Sequence, residues 1–263
     1  MSTDIYIVAF LNFIISLIGT LVYSVRIVGV RTGKIAISSA LFNALALISR
    51  TANVFQLPIL TKHVERSVKS NNLLHEFNFI LLIIFFATVI GAFLIPTFQR
   101  LFSKAVESFS MEKSIIRLII HSFSKSGIAY LKSSITIPDR ENVKGFSFKK
   151  MPVKILIFNM MTMALLTVAA FAPIYAGSIE PDLRSTCITL SSVVTSIATI
   201  LLTLFIDPYL SVLTDDVIEG KYGEADFRSC VFGLVGSKVV GTALSFVLLI
   251  PAAYAIVFIA RII

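Results

Sequence analysis

The residues best suited to chemistry lie inside one long apolar stretch, residues 35–60. At about 100° per residue on a helix, four of its polar side chains share a sector of roughly 80°; they are Ser39, Asn43, Arg50 and Asn53. An arginine at mid-membrane costs about 2.5–3.5 kcal/mol on insertion scales, because lipid cannot solvate its charge. This polar stripe must therefore face protein or a water-filled cavity.

Two interpretations of the polar stripe stay open. It is a seam that holds helices together, or it lines a translocation path that includes Arg50. A second intramembrane cation, Lys238, lies in a later apolar stretch, while Arg31 and Lys34 lie just before the polar stripe in GVRTGKI. That segment is not a phosphate-binding loop, because it has three residues between its glycines and no Ser or Thr after Lys34. Its cations fit a phosphate headgroup at the membrane surface or, alternatively, a cluster that only sets topology.

Motifs for enzymatic chemistry do not occur in the sequence. It has no HExxH, no GxSxG and no Cys/His spacing typical of a metal site, so we expect a protein that is not an enzyme and needs no metal or cofactor. His63, His75 and His121 lie in polar segments and are expected at the surface. Cys187 and Cys230 lie in or beside apolar segments and are expected to be free.

The composition is that of a polytopic membrane protein. Of the 263 residues, 56% are hydrophobic and 14% are charged, and the mean hydropathy is +0.90. A soluble domain cannot bury that much apolar surface. The net charge of +8 is concentrated in a few loops, which favours contact with anionic lipid over nucleic acid.

The hydropathy pattern predicts an all-α membrane domain with six transmembrane helices, at residues 5–23, 35–60, 77–98, 155–176, 185–206 and 229–259. The loop between the third and fourth helices, residues 99–154, holds eleven Lys and Arg against four Asp and Glu. Its apolar residues recur at helical spacing, so we expect it to lie in the membrane interface on anionic lipid. A cytoplasmic helix pair packed on the bundle is the alternative.

Basic residues are distributed unevenly between the loops. The first, third and fifth loops carry sixteen Lys and Arg, and the other loops with the C-terminal end carry five. The positive-inside rule places the first, third and fifth loops, which carry more Lys and Arg, in the cytoplasm. We therefore expect a multi-pass protein of the plasma membrane with both termini outside.

A shift of 150 residues superposes the first three predicted helices on the last three. Gly91 then falls on Gly241, and FQLPILT at 55–61 falls on FIDPYLS at 205–211. Two oppositely inserted three-helix halves are the arrangement of many transporters. Because the identical residues are few, chance matching is the alternative to an inverted repeat.

Residues 26–58, RIVGVRTGKIAISSALFNALALISRTANVFQLP, resemble the signature region of the Amj family, the "alternate to MurJ" lipid II flippases of bacteria. The specific parts are SALFN at 39–43 and SRTANVFQ at 49–56, and the order of helices fits along the whole chain. The resemblance implies that lipid II, the peptidoglycan precursor, is exported from the inner to the outer leaflet for cell-wall synthesis. It assigns no residue an established role.

The physical chemistry of this implied substrate is compatible with the polar residues. Lipid II has a polyprenyl tail, a pyrophosphate and a bulky sugar-peptide head, and we expect Arg50 to hold the pyrophosphate through two bonds and Lys238 to act as a point charge. A membrane potential favours outward movement of an anion by about 2.3 kcal/mol per charge per 100 mV. The alternatives are a transporter of another polyprenyl-linked or small anionic substrate, and a non-transporting scaffold. Six helices are few for so large a head, which makes a homodimer a further prediction.

Overall fold

The computed structural model describes residues 2–66, 72–112, 134 and 152–263. Within these ranges the chain is helical and contains no strand. The α-helices are α1 Thr3–Thr32, α2 Ile35–Arg66, α3 Leu73–Glu112, α4 Val153–Ala169, α5 Ala172–Ile179, α6 Arg184–Thr189, α7 Ser191–Leu201, α8 Asp207–Ile218 and α9 Glu224–Ile262. A 3-10 turn at Pro181–Leu183 precedes α6, and a π-helical turn at Leu202–Ile206 joins α7 to α8.

The prediction of an all-α, multi-pass membrane protein is confirmed. Five helical stretches of the described chain are long and apolar enough to cross a membrane, and a sixth is obtained when α4 and α5 are taken as one span. These two helices meet at an angle of 48°. Pro173 lies in the first turn of α5, where proline is tolerated because that turn has no intrahelical partner for its N–H. The single helix predicted at 155–176 is thus divided into two helices, α4 and α5.

Three helices extend well beyond their predicted ends. The first continues from residue 23 to Thr32, through most of the predicted first loop. The third continues to Glu112, so that the region expected to be loop from residue 99 begins as helix. In this extension Phe102 and Val106 pack against α1 and α2, which favours the packed-helix alternative for this part. The predictions for 113–133 and 135–151, including their contact with anionic lipid, lie outside the described residues. The fifth continues as α8 to Ile218, through a segment predicted as an acidic loop.

Packing divides the helices into two groups. In the first group α1 packs along both α2 and α3, and in the second α9 packs along α4; α9 also contacts α1 and α3. Glycines mark the closest approaches, since a Cβ at Gly91 would lie 2.8 Å from Thr20 Cβ of α1, and one at Gly241 would lie 2.5 Å from the carbonyl oxygen of Met160 in α4. The two glycines that the 150-residue shift superposes thus both allow a neighbouring helix to approach closely. The inverted repeat itself stays a prediction.

The prediction that His63 lies at the surface is wrong. Its side chain is buried, with Nε2 2.8 Å from Glu76 Oε2 and Nδ1 3.0 Å from Ser2 Oγ. These bonds join the start of α1 to α2 and α3, a long-range arrangement that the local sequence does not encode. His75 is exposed as expected, and His121 lies outside the described residues. Both cysteines are free, and both are buried.

Candidate functional site

The polar stripe of α2 lies along an open groove. This helix packs mainly along α1, and all four residues of the polar stripe are exposed. The opposite wall of the groove is formed by α7 and α8. Two cavities lie between these walls at different positions along α2. Residues of both walls line each cavity. Because the polar stripe is exposed, it does not form a seam that holds the helices of this chain together.

The first cavity, the Lys238 cavity, has a volume of about 330 Å³, at the lower end of the roughly 300–1,000 Å³ typical of ligand sites. Six helices contribute polar side chains to its lining. These side chains are Asn12 and Ser16 from α1, Ser49, Asn53 and Gln56 from α2, Thr88 from α3, Thr167 from α4, Ser191 and Thr195 from α7, and Lys238 and Thr242 from α9. A polar cavity between apolar spans is a place where water or a polar substrate can enter the membrane.

Lys238 is the charged group of this cavity. It is 9% exposed, and its Nζ lies 5.8 Å from the centroid of the Tyr23 ring. A Cβ at Gly19 would lie 3.1 Å from Nζ, so the small residue on α1 leaves room for the ammonium group. No carboxylate within the described chain forms an ion pair with it. Burying an unpaired ammonium is costly, and an anion in the cavity would remove that cost.

Gln56 adds a buried hydrogen-bond acceptor without a partner. Its side chain is 2% exposed, and its Oε1 accepts no hydrogen bond from the described residues. By contrast, the Asn12 amide and the Thr88 hydroxyl donate to carbonyl oxygens one turn back in their own helices, Val8 O at 2.9 Å and Ile84 O at 2.8 Å. The cavity therefore presents a cation, an amide and hydroxyl oxygens to a ligand.

The second cavity, the Arg26 cavity, has a volume of about 340 Å³ and lies between α1, α2 and α8. Its polar lining consists of Arg26 from α1, Ser38, Ser39 and Asn43 from α2, and Ser211, Thr214 and Asp215 from α8. Gly29 of α1 lies at the wall, where a Cβ would be 3.1 Å from Ser38 Cβ. The cavity lies near the α1–α2 turn, and so closer to one membrane surface than the Lys238 cavity.

Arg26, unlike Lys238, has partners for its charge. Its Nη2 donates to Asp207 Oδ1 at 2.9 Å, and its Cζ lies 5.6 Å from the centroid of the Phe42 ring. These contacts connect α1 with α8 and α2 across the groove. Because a carboxylate already balances this guanidinium, it offers less to an anion than Lys238 does.

The seven residues predicted for the site are divided by the structure. Ser39 and Asn43 line the Arg26 cavity, and Asn53 and Lys238 line the Lys238 cavity. Arg50 lies between these levels on the polar stripe, is exposed and lines neither cavity.

The two basic residues of the surface segment lie apart from both cavities. Arg31 is exposed near the end of α1, and Lys34 is half-buried in the turn that leads into α2. Neither contributes to a cavity lining. A role for them would be limited to the membrane surface.

Several lining residues could not be selected from the sequence. Asn12 and Ser16 are uncharged polar residues in an apolar helix. The sequence indicates a role for them only through the general rule that a polar group inside a membrane span needs a partner. Asp215 falls in a segment predicted as a loop, but the continuation of the fifth span as α8 brings it to the Arg26 cavity.

The chain matches known proteins over nearly its whole length. A sequence model of the family described as "Amj: Alternate to MurJ" matches residues 11–260. The protein named "Lipid II flippase Amj" of Bacillus subtilis (strain 168) is 33% identical over 261 residues, covering 98% of this chain and 96% of that protein. No solved structure matches this chain.

Proposed function

The chain belongs to the Amj family, the alternates to MurJ, and from this we propose that it is a lipid II flippase of the bacterial plasma membrane. It is a transporter and not an enzyme. It moves the undecaprenyl-pyrophosphate-linked precursor of peptidoglycan from the inner leaflet to the outer leaflet. The similarity to the named flippase covers nearly all of both proteins, which supports carrying over the substrate.

The observation that carries this proposal is the unpaired Lys238 in a polar cavity between the spans. A pyrophosphate bears the negative charge that this ammonium needs, and the amide N–H groups of Gln56 and the surrounding hydroxyl groups can donate hydrogen bonds to its oxygens. The polyprenyl tail stays in lipid, because the polar stripe of α2 is exposed and other helices of the described chain do not enclose it. Arg50, on the exposed polar stripe, attracts the pyrophosphate as the head moves along the groove.

The size of the cavities bears on the oligomeric state. Each has about 330–340 Å³, which accommodates a fragment of the head and not the whole sugar-peptide. The helices must separate during transport, or a second copy must widen the path, and a homodimer is the arrangement we propose. The mass of the purified protein in detergent tests this. Residues 113–151 of the basic loop are proposed to contact anionic lipid, whereas residues 99–112 belong to α3.

The orientation we propose places both termini outside, because the loops rich in Lys and Arg then lie in the cytoplasm. The Arg26 cavity consequently opens towards the cytoplasm. A potential negative inside then favours outward movement of the anionic head. This proposal supplies a driving force that needs no nucleotide.

Cysteine labelling tests the orientation. In a variant that lacks Cys187 and Cys230, a cysteine replacing the exposed Asp182 is expected to react with an impermeant thiol reagent added to intact cells. A cysteine replacing Lys221 in the turn before α9 is expected to react only after the cells are opened. Reaction of the second variant in intact cells, with protection of the first, would reverse the direction of the path.

Reconstitution tests the function itself. The purified full chain in vesicles is expected to move fluorescent lipid II between leaflets at least tenfold faster than protein-free vesicles do, as measured by quenching from outside. Labelled phosphatidylglycerol serves as a control for non-specific movement of anionic lipids and should not move faster. Lipid II movement at the protein-free rate, or equal movement of both lipids, would contradict the proposal.

A further inference from the structure

The Arg26 cavity contains chemistry that a pyrophosphate site does not need. Its arginine is already balanced by Asp207 at 2.9 Å. The rest of its polar lining consists of four hydroxyl groups, one amide and one carboxylate, contributed by Ser38, Ser39, Ser211, Thr214, Asn43 and Asp215. The carboxylate of Asp215 repels a phosphate. Uncharged groups that both donate and accept hydrogen bonds suit this cavity better.

One hydroxyl group in the lining of the Arg26 cavity, that of Ser38, has no hydrogen-bond partner. Its side chain is 3% exposed, and its Oγ makes no hydrogen bond within the described residues. Other hydroxyl groups in these helices donate to a carbonyl oxygen one turn back, as Thr32 does to Val28 O at 2.8 Å and Thr214 does to Leu210 O. A buried polar atom left without a partner costs about 1–3 kcal/mol, and a ligand with hydroxyl or amide groups would satisfy it.

The order of the two cavities along α1 matches the order of the groups in one lipid-linked head. Gly19 in the wall of the Lys238 cavity and Gly29 in the wall of the Arg26 cavity are ten residues apart on α1, which is about 15 Å along a helix. In lipid II the pyrophosphate lies between the tail and the sugars. A head that enters from the inner leaflet therefore has its pyrophosphate deeper in the membrane and its sugars nearer the cytoplasm.

We propose that the Arg26 cavity is a carbohydrate site, which binds the hydroxyl and acetamido groups of the sugars while Lys238 holds the pyrophosphate of the same molecule. This assignment rests on the proposed function and on the orientation given above. Asp215 accepts hydrogen bonds from sugar hydroxyl or amide groups, as Ser211 and Thr214 do from the same helix.

Binding of two lipids to the full chain in nanodiscs tests the carbohydrate site. The probes are lipid II and undecaprenyl pyrophosphate, which has the same tail and pyrophosphate but no sugar. Asp215→Ala is expected to weaken lipid II binding at least fivefold and to change undecaprenyl pyrophosphate binding less than twofold. Asp216→Ala, which removes the neighbouring carboxylate that lines neither cavity, is the matched control and should bind both as the wild type does.

The outcomes separate this inference from the proposed function. Equal weakening of both lipids by Asp215→Ala, or unchanged lipid II binding, overturns the carbohydrate site alone. A wild-type protein that binds neither lipid overturns the proposed function together with this inference. If Asp215→Ala does not fold, Ser211→Ala gives the same comparison with a smaller change at an exposed position, and a selective loss of lipid II binding is expected again.

Discussion

Replacement of Lys238 by glutamine is expected to reduce lipid II export roughly 10- to 150-fold, because a hydrogen bond to a charged group is worth about 1.5–3 kcal/mol. The amount of folded protein should stay the same or rise. Lys238 is buried and has no carboxylate partner in the described chain, so its charge destabilises the protein when no substrate is bound. A residue needed only for folding would show the opposite effect on abundance.

The measurement is growth of cells that lack every other lipid II flippase, with the membrane level of each variant determined in parallel. Lys238→Arg keeps the charge and should retain part of the activity, although its larger head must fit beside Gly19. Normal growth with Lys238→Gln at normal abundance would remove Lys238 from the mechanism. Loss of the protein from the membrane would make it a structural residue.

Arg50→Gln is the comparison within the same assay. Its side chain is exposed and lines neither cavity, so the structure favours a smaller loss than at Lys238. The sequence alone predicts the opposite order, because Lys238 lies in the first half of its predicted span and therefore closer to the membrane interface than Arg50. A larger loss for Arg50→Gln at equal abundance would show that the exposed polar stripe, and not the Lys238 cavity, determines the rate.

Replacement of Gly241 by alanine is expected to have the largest effect on stability. The new Cβ would lie 2.5 Å from the carbonyl oxygen of Met160, 3.0 Å from Met163 Cβ and 3.3 Å from the backbone nitrogen of Ala164. Since two of these atoms belong to the backbone of α4, the helices themselves must separate. Overpacking of this kind costs typically about 1–3 kcal/mol and occasionally more.

The same helix offers a matched control for Gly241. An added Cβ at Gly236 would have no neighbour within 4 Å apart from its own stretch of helix, and alanine favours a helix over glycine by about 1 kcal/mol. Gly236→Ala should therefore leave the melting temperature in detergent unchanged or raise it, while Gly241→Ala lowers it. Equal melting temperatures for the two variants would mean that α4 and α9 pack less closely than described.

Local sequence properties determined the class of this protein. Apolar stretches of about 20 residues define membrane spans whatever lies beside them, which is why the all-helical, multi-pass fold was predicted correctly. The SALFN and SRTANVFQ segments identified the family, because they are contiguous in the chain. Helical periodicity also placed Ser39, Asn43, Arg50 and Asn53 on one side of α2, and all four share an exposed side in the structure.

Tertiary structure decided which polar groups meet. Periodicity gives the direction of a side chain relative to its own helix, but not the helix that lies opposite. The ammonium of Lys238 lies beside Gly19, more than two hundred residues earlier in the chain, and Arg26 is joined to Asp207 across the groove. In the same way, the buried His63 and the Asp215 of the Arg26 cavity depend on contacts between distant segments, and a pattern read along one helix does not contain them.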